Sequence, residues 1–486
     1  MIRIGLDEVQ RLTGAVLHGT PADGPVTSVE VDSRQVQPGS LFVALPGERT
    51  DGHDHVAAAV AAGAGAALTS RPVPGAPCLV VPDPLVALQA LAGAVHAAAP
   101  EPLTFGMTGS SGKPSTKDLL AQVLGDLGPT LAPQGSFNNE LGLPLTALRR
   151  APETRFAALE YSARGVGHIA FLCRIVAPHV ATVLNVGSAH LGEFGSREAI
   201  ARAKGELVDA ARLRAVLNAD DPLVLGMATR TSRPVTTFGT GADADVRAEA
   251  LELDEGGRAR FRLVTPYGSA DVALRVRGEH AVHNALAAAA AVLGQDAGSS
   301  ATSDVDRVAV LLTAAEPVSR WRMEVTERAD GVTVVNDAYN ANPESMRAAL
   351  KTLAVMSDGK RRRTVAVLGH MAELGDDARE AHMDLGRFLV RLDVGQLVVV
   401  GEAAGGIHAG AVLEGSWGSE SIHVPDVDAA VALLREQLAP GDVVLVKGSR
   451  SAGLERVAAA LLEPGLSGSG PVDPAPEPPP SGGTAA

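Results

Sequence analysis

At 486 residues, 46% hydrophobic and 20% charged, the chain is too long for a single core and predicts two to four domains. A formal net charge of −14 argues against a nucleic-acid partner, because a phosphate backbone calls for a basic face. Any anionic ligand must instead be met by local cations. The longest weakly apolar run, Val56 to Leu68, is mostly Ala and Gly and falls short of the roughly 18 residues of a membrane span. The opening stretch MIRIGLDEVQRL lacks a signal-peptide core, and only Cys78 and Cys173 are present, without metal spacing. The expected compartment is therefore a reducing cytoplasm.

Residues 1–98 open with short strands and turns, VTSVEVDSRQVQPGSLFVALPG, followed by the helical DHVAAAVAAGAGAAL. A Pro/Ala stretch, HAAAPEPLTF, leads into residues 99–315, where the apolar strands FAALEY, VATVLNVG and AVLNADD alternate with helical segments. That alternation predicts a parallel sheet covered by helices. Between Ala242 and Gly278 three β-patterned stretches read as an antiparallel insert that decorates this sheet. Residues 316–464 restart the rhythm with GVTVVND, RRTVAVLGH, GQLVVVGE and GDVVLVKGS, each before a helical run, and predict a second doubly wound α/β unit. The Pro/Gly/Ser-rich tail, 465–486, has no apolar area to bury and is expected to be disordered.

One loop stands out, GMTGSSGKPSTKDLL, running from Gly106 to Leu120 between a predicted strand and a predicted helix. First-turn N–H groups and the helix dipole favour an anion there; Gly109 and Gly112 let backbone approach phosphate, and Lys113 can reach terminal phosphates. Against the general pattern G-x-x-x-x-G-K-[ST], Met107 replaces the first Gly and Pro114 replaces the hydroxyl. Read on the motif alone, a Gly/Ser turn capping a helix fits as well.

In an open α/β sheet, ligands bind outside the carboxyl ends of the strands. Asn336 and Asp337, Gly369 and His370, Glu402, then Lys447, Ser449 and Arg450 all fall at such ends, and one crevice could collect them. Glu402 by itself reads as an ordinary loop residue. Glu160 and His190 end or follow strands of the middle segment, on the side of Lys113, and are candidate Mg²⁺ ligands beside a triphosphate.

In their order, VDSR, TGSSGK, NNELGLP, NVGSAHLGEFGS, AKGEL, HNALAA, NDAYNANPESM, MAELG and VKGSRSAGLE, these stretches resemble the Mur ligases of peptidoglycan synthesis, from Asp32 to about Leu462. The resemblance implies an α/β fold of three domains: a small amino-terminal domain for a UDP-linked substrate, a central P-loop ATPase domain, and a carboxy-terminal Rossmann-like domain. It implies an ATP-dependent amide ligase. The γ-phosphate passes to the free carboxylate of a UDP-N-acetylmuramoyl-tripeptide, the amine of D-alanyl-D-alanine attacks the acyl phosphate, and phosphate leaves. The implied partners are those two substrates, with no nucleic acid and no membrane, and the chain is expected to act as a monomer.

Carried over by position, Thr108, Gly109, Ser110, Ser111, Gly112, Lys113, Ser115 and Thr116 would cradle ATP, Asn284 would contact the adenine region, and Arg320 or Arg322 would approach the γ-phosphate. Asp337, Asn340 and Asn342 would close on the nucleotide from the third domain. Mg²⁺ would be held around Ser115, Glu160, His190 and Lys204, the last of which family members carry as a carbamate; Lys113, Glu160, His190 and Lys204 form the implied catalytic set. Ser33 and Arg34 would meet the uridine diphosphate, Asn138 and Asn139 the sugar nucleotide, and Lys447 and Arg450 the substrate carboxylates.

The chain departs from the family pattern at Pro114, where a Thr or Ser is usual, at Tyr161 and Ser162, which replace smaller neighbours and are expected to crowd the metal-side strand tip, and at His370, usually acidic. Pro114 removes a hydroxyl and an N–H, and Ser115 is rotated from it by about 100° along a helix. Reduced activity is the expectation. Two other readings stay open at this point: a non-catalytic paralogue that binds the precursor, and another amino-acid ligase of the same superfamily.

Overall fold

The computed structural model describes residues 1–463, apart from 48–49, 134, 136, 188–190, 295–300, 358, 360 and 417. The tail and His190 thus lie outside the described residues. Three β-sheets with flanking helices follow one another along the chain, a three-domain α/β architecture.

The first sheet orders its strands Val16–His18, Cys78–Val80, Ala66–Thr69, Ser40–Val43 and Ser28–Glu30, parallel except at the Val16–His18 edge. The second has nine strands, in the order Gly268–Arg277, Arg258–Thr265, Val246–Leu253, Val235–Gly239, Arg214–Asn218, Val180–Val183, Leu103–Thr108, Phe156–Glu160 and Thr130–Leu131. Val246–Leu253 pairs parallel with Val235–Gly239, so the expected insert is a continuation of the central sheet that turns antiparallel only in its last two strands. The third sheet runs Glu324–Glu327, Thr333–Asn336, Val443–Lys447, Thr364–Leu368, Gln396–Val400 and Ser421–Val424. Its inner strands TVVN, VVLVK, TVAVL and QLVVV are buried at every position, as expected where helices cover both faces. The sequence pattern had marked these four and not the two edge strands, which are short and mixed in polarity.

Helix starts follow local chemistry. Asp83 accepts from the N–H groups of Leu85 and Val86 and Pro84 takes the first turn of Pro84–Ala97; Asn342 and Ser345 form a reciprocal capping box, with Pro343 in the first turn of Pro343–Val355. The link into the third sheet is docked on the helix Lys113–Leu127. The Gln122 side-chain amide accepts from Glu316 N (2.9 Å) and donates to Glu316 O (3.0 Å), and Asp118 accepts from Ser319 N (3.0 Å). The loop helix therefore reaches directly to the connection that carries Arg322.

The junction between the first two sheets is sealed from inside. Arg150 is fully buried and its guanidinium donates to the carbonyls of Val95 (2.9 Å), His96 (2.9 Å), Ala98 (2.6 Å) and Pro100. Beside it, Thr104 donates its hydroxyl to Pro102 O, so His96 Nε2 must be the donor to Thr104 Oγ1 (2.9 Å). Burial, reinforced by the Arg150 charge, holds His96 down to about 4. Between that value and the ordinary 6.5 the unfolded chain binds the extra proton, so stability is present above pH 6.5 and is lost as pH falls toward 4. The loss amounts to about 3 kcal/mol from this one group. Chemical unfolding at pH 7 and pH 4.5 should show a smaller difference for His96→Gln than for the parent; an equal difference would refute the assignment.

Cys78 and Cys173 are buried and unpaired, and burial pushes the Cys173 thiol up to about 12, so it stays a thiol. No helix among the described residues is long and apolar enough to cross a membrane.

Candidate active site

The strand Leu103–Thr108 and the helix Lys113–Leu127 flank the glycine-serine loop as its sequence predicts. Gly112 has φ +82°, a backbone conformation that favours glycine, and a Cβ on it would fall 2.6 Å from Asn284 Oδ1, which would have to shift. Asn185, which the sequence did not single out, accepts from Ser110 N and Ser111 N (both 2.9 Å) and donates to Ser111 O (3.2 Å). Pro114 sits in the first turn, where a missing N–H costs the helix nothing but leaves the loop one donor short. Ser115 lines the adjacent cleft, whereas Thr116 is buried and donates to Asn284 Oδ1 (3.1 Å).

Lys113 turns its Nζ onto the carbonyl of Gly109. Burial lowers its pKa, opposed by the Glu160 charge and aided by Arg322. Glu160 ends the neighbouring strand with its side chain fully buried; Asn138 Nδ2 donates to Oε2 (3.3 Å) and Oε1 has no partner among the described residues. Burial raises the Glu160 pKa, while Lys117, Lys113 and Arg322 pull it back. Lys204 is buried nearby and is held well below its usual value, first by burial and then by the Lys113 charge. Tyr161 does not crowd this tip: strand alternation sends it to the other side, where its hydroxyl donates to Val176 O (2.7 Å). Ser162 does line the cleft.

The third sheet supplies the opposite wall. Lys447, almost fully buried, donates to Asp337 Oδ2 (2.7 Å) and Asn340 O (3.0 Å), and Arg322 stacks 4.1 Å above the Tyr339 ring. Asn342 caps its own helix through Oδ1 and reaches across with Nδ2 to Ser110 O (3.4 Å). The cleft so enclosed measures about 1570 Å³.

Of the residues expected at the site, Ser110, Ser111, Gly112, Lys113, Ser115, Asn138, Asn139, Glu160, Asn284, Arg322, Asp337, Asn340, Asn342 and Lys447 line this one cleft. Thr108, Gly109 and Thr116 are buried and do not form its lining, and neither does Lys204. Between the two candidate arginines the fold selects Arg322, since Arg320 is exposed and outside the lining. Arg450 likewise lies outside the lining: it stacks on Trp321 at 4.2 Å and pairs with Glu455 at 2.8 Å. Ser33 and Arg34 lie off the cleft in a short turn, with Arg34 chelating Asp32. His370 also lies off the lining, 2.8 Å from Ser451 Oγ, and burial lowers its pKa.

The cleft gains residues that sequence reasoning missed. Arg258, Arg275 and Arg277 come from the antiparallel end of the central sheet, and His280 and His283 from the helix His280–Val292. The alternation in RARFRL and ALRVR marked one polar face of those strands, but not that this face borders the cleft.

For a divalent cation the described residues offer oxygen donors, the unclaimed Glu160 Oε1 and the Ser115 hydroxyl, and no convergence of three His, Cys or acidic side chains. That set fits Mg²⁺, which commonly takes one or two carboxylates and completes its shell with phosphate oxygens and water.

This arrangement has close counterparts. Successive models match residues 25–97 (Mur ligase family, catalytic domain), 107–292 (Mur ligase middle domain) and 321–450 (Mur ligase, glutamate ligase domain). The UDP-N-acetylmuramoyl-tripeptide–D-alanyl-D-alanine ligase of Mycobacterium tuberculosis is 49% identical over 96% of this chain and 99% of its own. The crystal structure of MurF from Acinetobacter baumannii superposes with a TM-score of 0.84 at 33% identity, covering 95% of this chain and 99% of that one. MurF ligase from Thermotoga maritima, solved in complex with ADP, gives 0.77 at 29% identity, covering 90% and 97%. Family models along nearly the whole length and a full-length relative at this identity leave one assignment for the three sheets and the cleft they enclose: the chain belongs to the Mur ligase family.

Proposed function

We propose that the chain is an ATP-dependent ligase that joins D-alanyl-D-alanine to a UDP-N-acetylmuramoyl-tripeptide through an acyl phosphate, in the cytoplasmic synthesis of peptidoglycan precursor. Residues 1–98 would hold the UDP end, 99–315 the ATP, and 316–464 the dipeptide. The observation that carries this reading is that Lys113, Glu160, Arg322 and the Lys447–Asp337 pair, drawn from the second sheet with its loop helix and from the third sheet with the link before it, face a single cleft, in a chain similar over its full length to ligases of that name.

Phosphoryl transfer asks a protein mainly for positioning and charge. Lys113 and Arg322 supply positive charge beside the loop, and Asn185 holds the loop's shape. Asp337 and Lys447 order the facing wall. Glu160 and Ser115, with His190 and Lys204, would hold Mg²⁺, which when bound neutralises phosphate charge. Lys204 suits a carbamate: carbon dioxide reacts with an uncharged amine, and burial favours that form here.

The test is product formation. With ATP and the UDP-linked tripeptide, D-alanyl-D-alanine should give ADP and the extended peptide by mass spectrometry, while single amino acids, or glutamate with a folate acceptor, should not. Binding of precursor with no ATP turnover would sink the reading. Pro114→Thr restores a hydroxyl and an N–H at the first turn and should raise substrate-dependent phosphate release by about 10- to 150-fold, the equivalent of one hydrogen bond to a charged group. An unchanged rate would show that the proline does not limit turnover.

A further inference from the structure

After Glu160 the chain leaves the sheet, and Ser162 turns back toward the segment that carries Asn138. Ser162 N donates to Asn138 O (3.0 Å), and its Oγ lies 3.0 Å from both Asn138 O and Asn138 Oδ1. The same Asn138 amide donates through Nδ2 to Glu160 Oε2 at 3.3 Å. The serine hydroxyl thus faces the oxygen end of an amide whose nitrogen end faces the carboxylate. A reversed amide would put Oδ1 against Glu160, acceptor against acceptor. An alanine at 162 would remove the one hydroxyl proton, which Asn138 O and Asn138 Oδ1 share, and with it the donor on Oδ1; the half-buried amide could then swing off the carboxylate.

Resting on the reading of Glu160 as a metal-side carboxylate, we propose that Ser162 is a positioning residue for the ligation reaction: acting through Asn138, it claims one oxygen of Glu160 and leaves Oε1 as the oxygen presented to a divalent cation. It is not a catalytic residue. The serine expected to crowd the strand tip instead orders it.

Mn²⁺ serves as the probe, titrated into the full-length protein with a non-hydrolysable ATP analogue while free Mn²⁺ is followed by its paramagnetic resonance signal. Ser162→Ala should weaken Mn²⁺ binding roughly 3- to 10-fold, the range of one net hydrogen bond, and Ser162→Thr, which keeps the hydroxyl, should restore it. Asn138→Ala should weaken binding to a similar degree, and adding Ser162→Ala to it should cost nothing more, because both act along one path. Parent-like binding by Ser162→Ala, failure of Ser162→Thr to recover, or additive losses would each overturn the proposal. Should Ser162→Ala fail to fold, the Asn138→Ala and Ser162→Thr arms decide. Glu160→Gln separates the two levels: if it binds Mn²⁺ as the parent does, the metal-side reading falls and this proposal with it, whereas its loss alongside a parent-like Ser162→Ala sinks the positioning role alone.

Discussion

Replacing Lys113 by Ala is expected to cut substrate-dependent phosphate release at least about 10²- to 10³-fold, the usual cost of removing one preorganised group from a developing charge in a water-poor site. Lys113 opens the loop helix; burial disfavours its charge, and among the described residues Glu160 is the counter-charge acting on it. A triphosphate would supply the missing negative charge, and Gly109 O, where Nζ rests, would be exchanged for phosphate oxygen. The fold itself should tolerate the change, because a cation that burial disfavours adds little to stability. Thermal unfolding of Lys113→Ala should stay within a few degrees of the parent while activity collapses. Lys113→Arg should not rescue, since a planar fork does not replace a compact ammonium under a Gly/Ser loop. Turnover by Lys113→Ala at the parental rate would remove this loop from the mechanism.

The second large effect is on stability. Arg150→Met keeps most of the side-chain length and deletes a guanidinium that donates to four carbonyls at the end of the helix Pro84–Ala97 and in the connection after it. A helix leaves its last carbonyls without intrahelical partners, and here they are turned inward. The expected cost is about 3–5 kcal/mol, the range for breaking a buried charged network, read as an earlier first unfolding transition in denaturant. A shift under about 1 kcal/mol would mean that water replaces the guanidinium. Because His96 borders the same cluster, the variant should also weaken the acid sensitivity described above: without the Arg150 charge, one of the causes holding that ring down disappears.

Much of the site was legible because its signals are local. A strand, a Gly/Ser loop and a lysine at a helix start lie within one stretch, 103–127, and the side-chain direction of each follows from the period of its element. Glu160 was readable for the same reason, as the last residue of an apolar strand. The expectations that failed concern residues whose position depends on what packs against them. Tyr161 was expected to obstruct and instead lies on the far side of its strand; Arg450 was expected to face substrate and is held by Trp321 and Glu455. Arg320 and Arg322 are two residues apart, and tertiary contacts distinguish them: the 316–319 link docks on Asp118 and Gln122, and Arg322 stacks on Tyr339. Asn185 opens the stretch NVGSAHLGEFGS, but nothing in that stretch marked its contact with the loop, and the three arginines of the sheet's antiparallel end had no motif to announce them.

By itself, then, the sequence determined the alternation that makes the second and third α/β units and the phosphate-type loop with its proline, because periodicity, helix caps and turn residues act over a few neighbours; the family was legible only as a resemblance carried by the order of its motifs. Tertiary structure alone decided which polar side chains share the cleft, which are spent on internal ion pairs, and that Ser162 meets Asn138. Those outcomes depend on contacts between segments that are distant in the chain, as with Asn342 and Ser110, or Gln122 and Glu316. No local period encodes which strand tip another domain will cover.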